Sequence, residues 1–260
     1  MLRAILAKFQ EEVVRRVPQA STRFFAIFFA GLAALLLALA WQPGAAAQIH
    51  SRSHASFSGH PPSTSILKAY GTPSAPIRLD VFSDYQCPSC GNFFENTMRP
   101  MINEYVAQGK VYIVHHDFPL QMHPYSGAAA RWANAAAKIG EFQQVDAALF
   151  DNQAAWGATG DIAKYVLAAI GPADFKRVEA ILKPCTSPPP TSHADGSMPQ
   201  ADPACPVDAS IVQDVALGYQ IPVRATPTYV ISYKGQKFPP GSGAVSWDIM
   251  RQFFDSLLSQ

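Results

Sequence analysis

The 260-residue chain is long enough for one large domain or a domain with extensions, and its 48% hydrophobic content is that of a globular protein. With 15% charged residues and a formal net charge of +1, nothing in its charge balance points to nucleic acid or an acidic substrate. Its four cysteines are too few for a disulfide-dense scaffold in a chain able to bury a core of ordinary size.

At the N-terminus, Arg3, Lys8, Arg15, Arg16 and Arg23 stand against Glu11 and Glu12. From Phe24 to Ala40 no side chain is charged or hydrogen-bonding, and Pro43-Gly44 then breaks any helix. Ala45-Ala46-Ala47 fits the small-residue cleavage pattern, with Gln48 as the new terminus. The apolar run is also barely long enough to span a bilayer. Residues 1–47 are therefore expected to be a signal peptide or a membrane anchor held by residues 24–41. In either case the positive flank stays in the cytoplasm, and the rest of the chain is periplasmic or otherwise extracytoplasmic. Membrane contact is expected only through this N-terminal segment.

Gln48 to Ser65 is rich in Ser, His, Gly and Pro without an apolar period, and a linker is expected over 48–70. Ile77, Leu79 and Val81 alternate as one face of a strand. Phe94, Met98, Met101, Ile102 and Tyr105 then recur at helical spacing up to Gly109, with Pro100 expected to kink the helix. A second strand, Lys110 to Asp117, ends at Pro119. Helical text covers 125–139, 141–151, 160–170 and 172–183, with Pro172 well placed at a helix start. After a proline-rich stretch over 184–206, a helix is expected at 207–219, a strand beyond Thr226-Pro227-Thr228, and a last helix after Ser246 with Ile249, Phe253, Phe254 and Leu257 facing inward. This order predicts an α/β fold, a thioredoxin-like core sheet with an inserted α-helical domain. The core occupies 71–122 and 206–260, and the insertion with its Pro-rich loop occupies 123–205.

Cys87-Pro88-Ser89-Cys90 lies where the first strand hands over to a helix. Residues three apart in a first helical turn have Cα atoms roughly 5 Å apart, within disulfide range. At the helix start, unpaired N–H groups and the positive dipole end favour thiolate at Cys87, while Pro88 needs no N–H there. Cys90, one turn further in, is expected to be the buried resolving thiol. A zinc site would need more ligands at suitable spacing, and a purely structural bridge over so short a loop would stabilise little. No metal and no organic cofactor is called for. Cys185 and Cys205 bracket a segment with almost no large apolar side chain, so a structural disulfide is expected there. An auxiliary redox pair and two free thiols are the alternatives.

Three segments carry a family resemblance: Asp84-Tyr-Gln-Cys-Pro-Ser-Cys90, His116-Asp-Phe-Pro-Leu120 with His123-Pro124, and Ala225-Thr-Pro-Thr-Tyr229. In order and spacing they resemble the DsbA-like oxidoreductases of the thioredoxin superfamily, over about Ser74 to Ser256. The resemblance implies Cys87 as nucleophile, Cys90 as resolving partner, and Pro227 as a cis-proline facing them with Thr226 exposing backbone to substrate. Pro88-Ser89 departs from the Pro-His of the strongest oxidants, so the reduced form should be less stabilised. The segment from Cys185 to Cys205 is a second departure. Asp84 is a candidate for pKa tuning or proton relay; its alternative is a capping or solvated carboxylate. His115, His116 and His123 are expected to be structural, since strand neighbours 115 and 116 point to opposite faces. The implied function is disulfide formation in reduced or misoxidised exported proteins, with a quinone-linked membrane partner to re-oxidise the pair. A reductase or isomerase using the same cysteines, supplied by a membrane electron donor, and a non-catalytic binding module are the alternatives.

Overall fold

The computed structural model describes residues 67–260, so the expected signal or anchor (1–47) and the linker as far as residue 66 lie outside the described residues. Strands β1 (Ala69–Tyr70) and β2 (Ile77–Ser83) come first. Helix α1 then runs through Pro88–Phe93, Phe94–Met98, Arg99–Met101 and Ile102–Val106 to strand β3 (Val111–Asp117). Four helices follow: α2 (Ser126–Ala137), α3 (Phe142–Asp151), α4 (Gln153–Thr159) and α5 (Ile162–Leu182). The chain closes with α6 (Asp208–Gln220), β4 (Thr228–Tyr233), β5 (Gln236–Lys237), β6 (Gly241–Ser242) and α7 (Trp247–Leu258). The sheet order is β1-β3-β2-β4-β5, with β6 also on β4. Because β2 and β3 are parallel, they need a crossover, which α1 supplies; β4 lies antiparallel on the other side of β2. The fold is α/β, with α2–α5 inserted between β3 and α6.

Ile77, Leu79 and Val81 are fully buried on one face of β2, and Phe82 is fully buried as well. Arg78 forms a bidentate pair with Asp80 along the same strand, at 2.8 and 2.6 Å. Residues 69–70, assigned from the sequence to the linker, form β1, and Tyr70 is buried. A two-residue strand has no periodicity to detect, and Lys68 before it is buried because Asp117 and Asp214 bind its ammonium. Within α1, Phe94–Met98 and Ile102–Val106 are π-helical on either side of Pro100. Each of these stretches closes on a backbone bond five residues long, Arg99 N–H to Phe94 C=O and Ala107 N–H to Ile102 C=O. In α5 the helix is interrupted at Gly171 (φ 74°, ψ 169°) and restarts at Pro172. Phe253, Phe254 and Leu257 of α7 are buried with Met250, while Ile249 is only partly covered. Ser246 is the N-cap residue of α7, without a capping side-chain bond.

Cys185 and Cys205 are joined in a disulfide with Cα atoms 4.4 Å apart. The loop it closes also has a polar anchor. Buried Arg131 on α2 binds Asp208 with two hydrogen bonds, 2.8 and 2.7 Å, and donates to the carbonyl of Ser187 at 2.8 Å. Ser192 pairs with Leu120 as an isolated parallel bridge, which lays the loop against the segment after β3. Replacing both cysteines with alanine should therefore lower stability by about 3 kcal/mol, the loop-closure value for a separation of 20 residues. Urea denaturation of the double variant checks this; an unchanged midpoint would mean that Arg131 and the bridge hold the loop alone.

Under the sheet, His116 lies 2.8 Å from both Asp80 and Asp214. Burial opposes its charge, but the carboxylates of Asp214 and Asp80 outweigh burial and raise its pKa from 6.5 to about 9. A raised folded-state pKa stabilises the fold fully below the unfolded value of 6.5, and this contribution is lost as pH rises through 9. The stability gap between the protein and His116→Gln should be on the order of a few kcal/mol at pH 6, should narrow as pH rises from 6.5 to about 9, and should be nearly closed above that. Denaturation curves across that range measure it.

Candidate active site

The site is built on the turn between β2 and α1. Cys87 is the N-cap residue of α1 and Pro88 its first residue, as its fixed φ and missing N–H allow. The Cys87 carbonyl accepts hydrogen bonds from the N–H groups of Cys90 (2.9 Å) and Gly91 (3.1 Å), which close the first turn. Both cysteines are free thiols; Cys87 is 8% exposed and Cys90 1%. The order of exposure is that of an outer and an inner thiol, although Cys87 is itself largely covered.

Environment separates the two sulfurs further. A hydrogen bond from Cys90 lowers the Cys87 pKa most strongly; burial opposes it, and the Cys90 N–H adds to the lowering, leaving Cys87 at about 6. Burial and the negative charge of Cys87 push Cys90 well above the usual thiol value. Cys90 also accepts a hydrogen bond from the Asp84 N–H at 3.5 Å.

The loop before β4 closes the site from the other side. The Thr226-Pro227 bond is cis, and the Thr226 carbonyl lies 3.4 Å from the Cys87 sulfur, which donates to it. Antiparallel pairing of β4 with β2 brings this loop to the end of β2, at the register Phe82 to Thr228. Stacking of Tyr229 on Phe93 (centroids 5.5 Å apart) packs the strand behind it against α1. The structure thus brings Cys87, Pro88, Ser89, Cys90, Thr226 and Pro227 to one place. The Cys185–Cys205 disulfide is separate from this pair.

Asp84 is 1% exposed, and its carboxylate accepts four hydrogen bonds. They come from the N–H of Gln86 (2.7 Å), the N–H of Leu120 (2.9 Å), Nδ1 of His123 (2.6 Å) and the Ser126 hydroxyl (2.5 Å). The carboxylate ties the active-site turn to the segment after β3 and to the start of α2.

Sequence reasoning missed two glutamines that belong to the site. Gln153 of α4 donates its amide to the carbonyls of Tyr85 (2.7 Å) and Cys87 (2.9 Å). Gln86 bridges the Tyr125 N–H and the Gly157 carbonyl, at 2.8 and 3.0 Å. Neither has a distinguishing local pattern; only the fold places the insertion over the turn. His115 is buried between Asp117 and Asp146, each 3.4 Å away, and His116 between Asp80 and Asp214, whereas His123 is at the site.

Comparisons with known proteins agree with this geometry. A thioredoxin family profile matches residues 64–188. No curated protein shows a significant sequence match. The chain is similar to a variant of α-DsbA1 from Wolbachia pipientis, at 19% identity and TM-score 0.54, over 74% of this chain and 90% of that one. It is similar to a thioredoxin-like oxidoreductase from Silicibacter pomeroyi, at 20% identity and TM-score 0.54, over 74% of this chain and 92% of that one. Oxidised BdbD from Bacillus subtilis aligns at 17% identity and TM-score 0.55, over 76% of this chain and 96% of that one. The fold is thioredoxin-like, with a dithiol at the start of its first long helix. The chain is thus similar in fold to DsbA-type proteins, and residues 64–188 match the thioredoxin family.

In the reduced protein, Cys87 should be the first thiol alkylated, with a half-maximal rate near pH 6. Mass spectrometry of protein quenched at successive pH values reads this out. Faster modification of Cys90, or a midpoint at the ordinary thiol value of about 8.5, would reverse the assignment.

Proposed function

We propose that the protein is an extracytoplasmic thiol–disulfide oxidoreductase that forms disulfides in exported proteins through Cys87 and Cys90. The observation that carries this reading is the asymmetric pair: a low-pKa sulfur at the helix start, facing the Thr226 carbonyl, with a buried high-pKa sulfur behind it. In the oxidising direction a client thiolate attacks Cys87 of the Cys87–Cys90 disulfide, and Cys90 leaves as a thiolate that takes up a proton. A second client thiolate then attacks the client sulfur of the mixed disulfide and expels Cys87 as a thiolate. Two electrons pass from client to protein. A low Cys87 pKa makes it the better leaving group and favours this direction. The backbone of Thr226 is proposed to pair with an extended client segment beside the sulfurs.

The basic and apolar N-terminal sequence supports an extracytoplasmic location, with a quinone-linked membrane protein to re-oxidise the pair. Among the described residues no helix is long and apolar enough to cross a membrane. The solved structures that the chain resembles include a thioredoxin-like oxidoreductase and DsbA-type proteins, which supports the same chemistry here. A second reading, a reductase using the same pair, is favoured by Ser89, which brings no positive charge to the thiolate.

Cys87→Ser should abolish exchange with a reduced model client, and Cys90→Ser should accumulate mixed disulfides on Cys87. Non-reducing gels with mass mapping of the cross-link decide this. Exchange that survives Cys87→Ser would move the chemistry to another thiol, and no exchange by the unaltered protein would leave a binding module that kept the fold.

A further inference from the structure

Asp84 presents an electrostatic problem. Its backbone touches both cysteines, accepting from the Cys87 N–H at 3.1 Å and donating to the Cys90 sulfur at 3.5 Å. Its buried carboxylate therefore lies beside a thiol that must carry negative charge, and it opposes ionisation of Cys87. Pro88-Ser89 supplies no cation. Of the four donors on the carboxylate, two are backbone N–H groups and one is a hydroxyl; only the imidazole of His123 can take a positive charge.

We propose that His123 is the counter-charge of the Cys87 thiolate, a positioning residue seated on Asp84 that sets the reduction potential of the dithiol. The ring is fixed from both sides. Its Nδ1 is 2.6 Å from Asp84, and its backbone N–H and C=O bond Leu120 (2.9 Å) and the Ser126 N–H (3.2 Å). Its side chain keeps 20% exposure, so the proton can exchange with solvent. The ionisable groups that act on it are Asp84 and Cys87. The hydrogen bond to Asp84 raises its pKa most, partial burial opposes this, and the charges of Asp84 and Cys87 add to the rise. The imidazolium offsets the carboxylate and leaves the helix start free to stabilise the thiolate.

This inference rests on Cys87 being the exchanging thiol, and two measurements separate the two ideas. His123→Asn keeps a donor for Asp84 but removes the charge. The pH midpoint of Cys87 alkylation should rise by roughly one unit, and the equilibrium constant with glutathione should shift about tenfold toward the disulfide, about 30 mV more reducing. His123→Lys, which restores a cation, should recover most of both. In the unaltered protein, NMR titration should give His123 a higher pKa in the dithiol than in the disulfide form, because charge coupling is reciprocal. That comparison needs no variant to fold. Equal His123 pKa values in the two redox forms, or Asn and wild-type proteins with the same midpoint and potential, would overturn the proposal. A pair that never equilibrates with glutathione would instead overturn the reading of Cys87.

Discussion

The turn at Asp84 is the constraint on which the rest of the site depends. Between the last residue of β2 and the first of α1, Asp84, Tyr85, Gln86 and Cys87 must reverse direction, present one sulfur and bury another. Burying a carboxylate is costly unless its lone pairs are filled, and here four donors from three parts of the chain fill them. The same residue's backbone holds both cysteines. Geometry at the sulfurs and packing of the insertion are therefore set by one polar cluster.

The helical insertion does more than enlarge the protein. Gln153 on α4 holds the carbonyls of Tyr85 and Cys87, and Ser126 at the start of α2 reaches Asp84. Tyr85 is fully buried, with its hydroxyl 2.8 Å from Asp146 of α3. These contacts join the insertion to the core through buried and part-buried polar groups, a specific way to fix one arrangement. The Cys185–Cys205 loop extends the same scaffold, since Ser192 bonds the carbonyl of Pro119, next to Leu120 on the Asp84 carboxylate.

Much of this was legible in the sequence, for physical reasons. Alternation in Ile77-Arg-Leu-Asp-Val and helical spacing from Phe94 to Tyr105 reflect burial on one face, which a residue pattern records directly. The dithiol was legible because a CxxC at a strand–helix junction has few other uses. Contacts between distant segments left no such trace. β1 is two residues long, Lys68 is buried only because two distant aspartates meet it, and Gln153 reaches the turn across 66 residues of sequence. His123 was visible as part of His123-Pro124, but its partnership with Asp84, 39 positions earlier, appears only in the fold.

Low pKa at Cys87, high pKa at Cys90 and a separate stapling disulfide together support the proposal of one exchangeable pair. Equilibration with glutathione buffers of graded potential, read by thiol labelling and peptide mapping, tests that account most directly. It predicts a single two-electron transition confined to Cys87 and Cys90, between about −120 and about −270 mV, with Cys185–Cys205 oxidised throughout. A transition carried by Cys185 and Cys205, or no transition at Cys87 and Cys90 in that range, would contradict it.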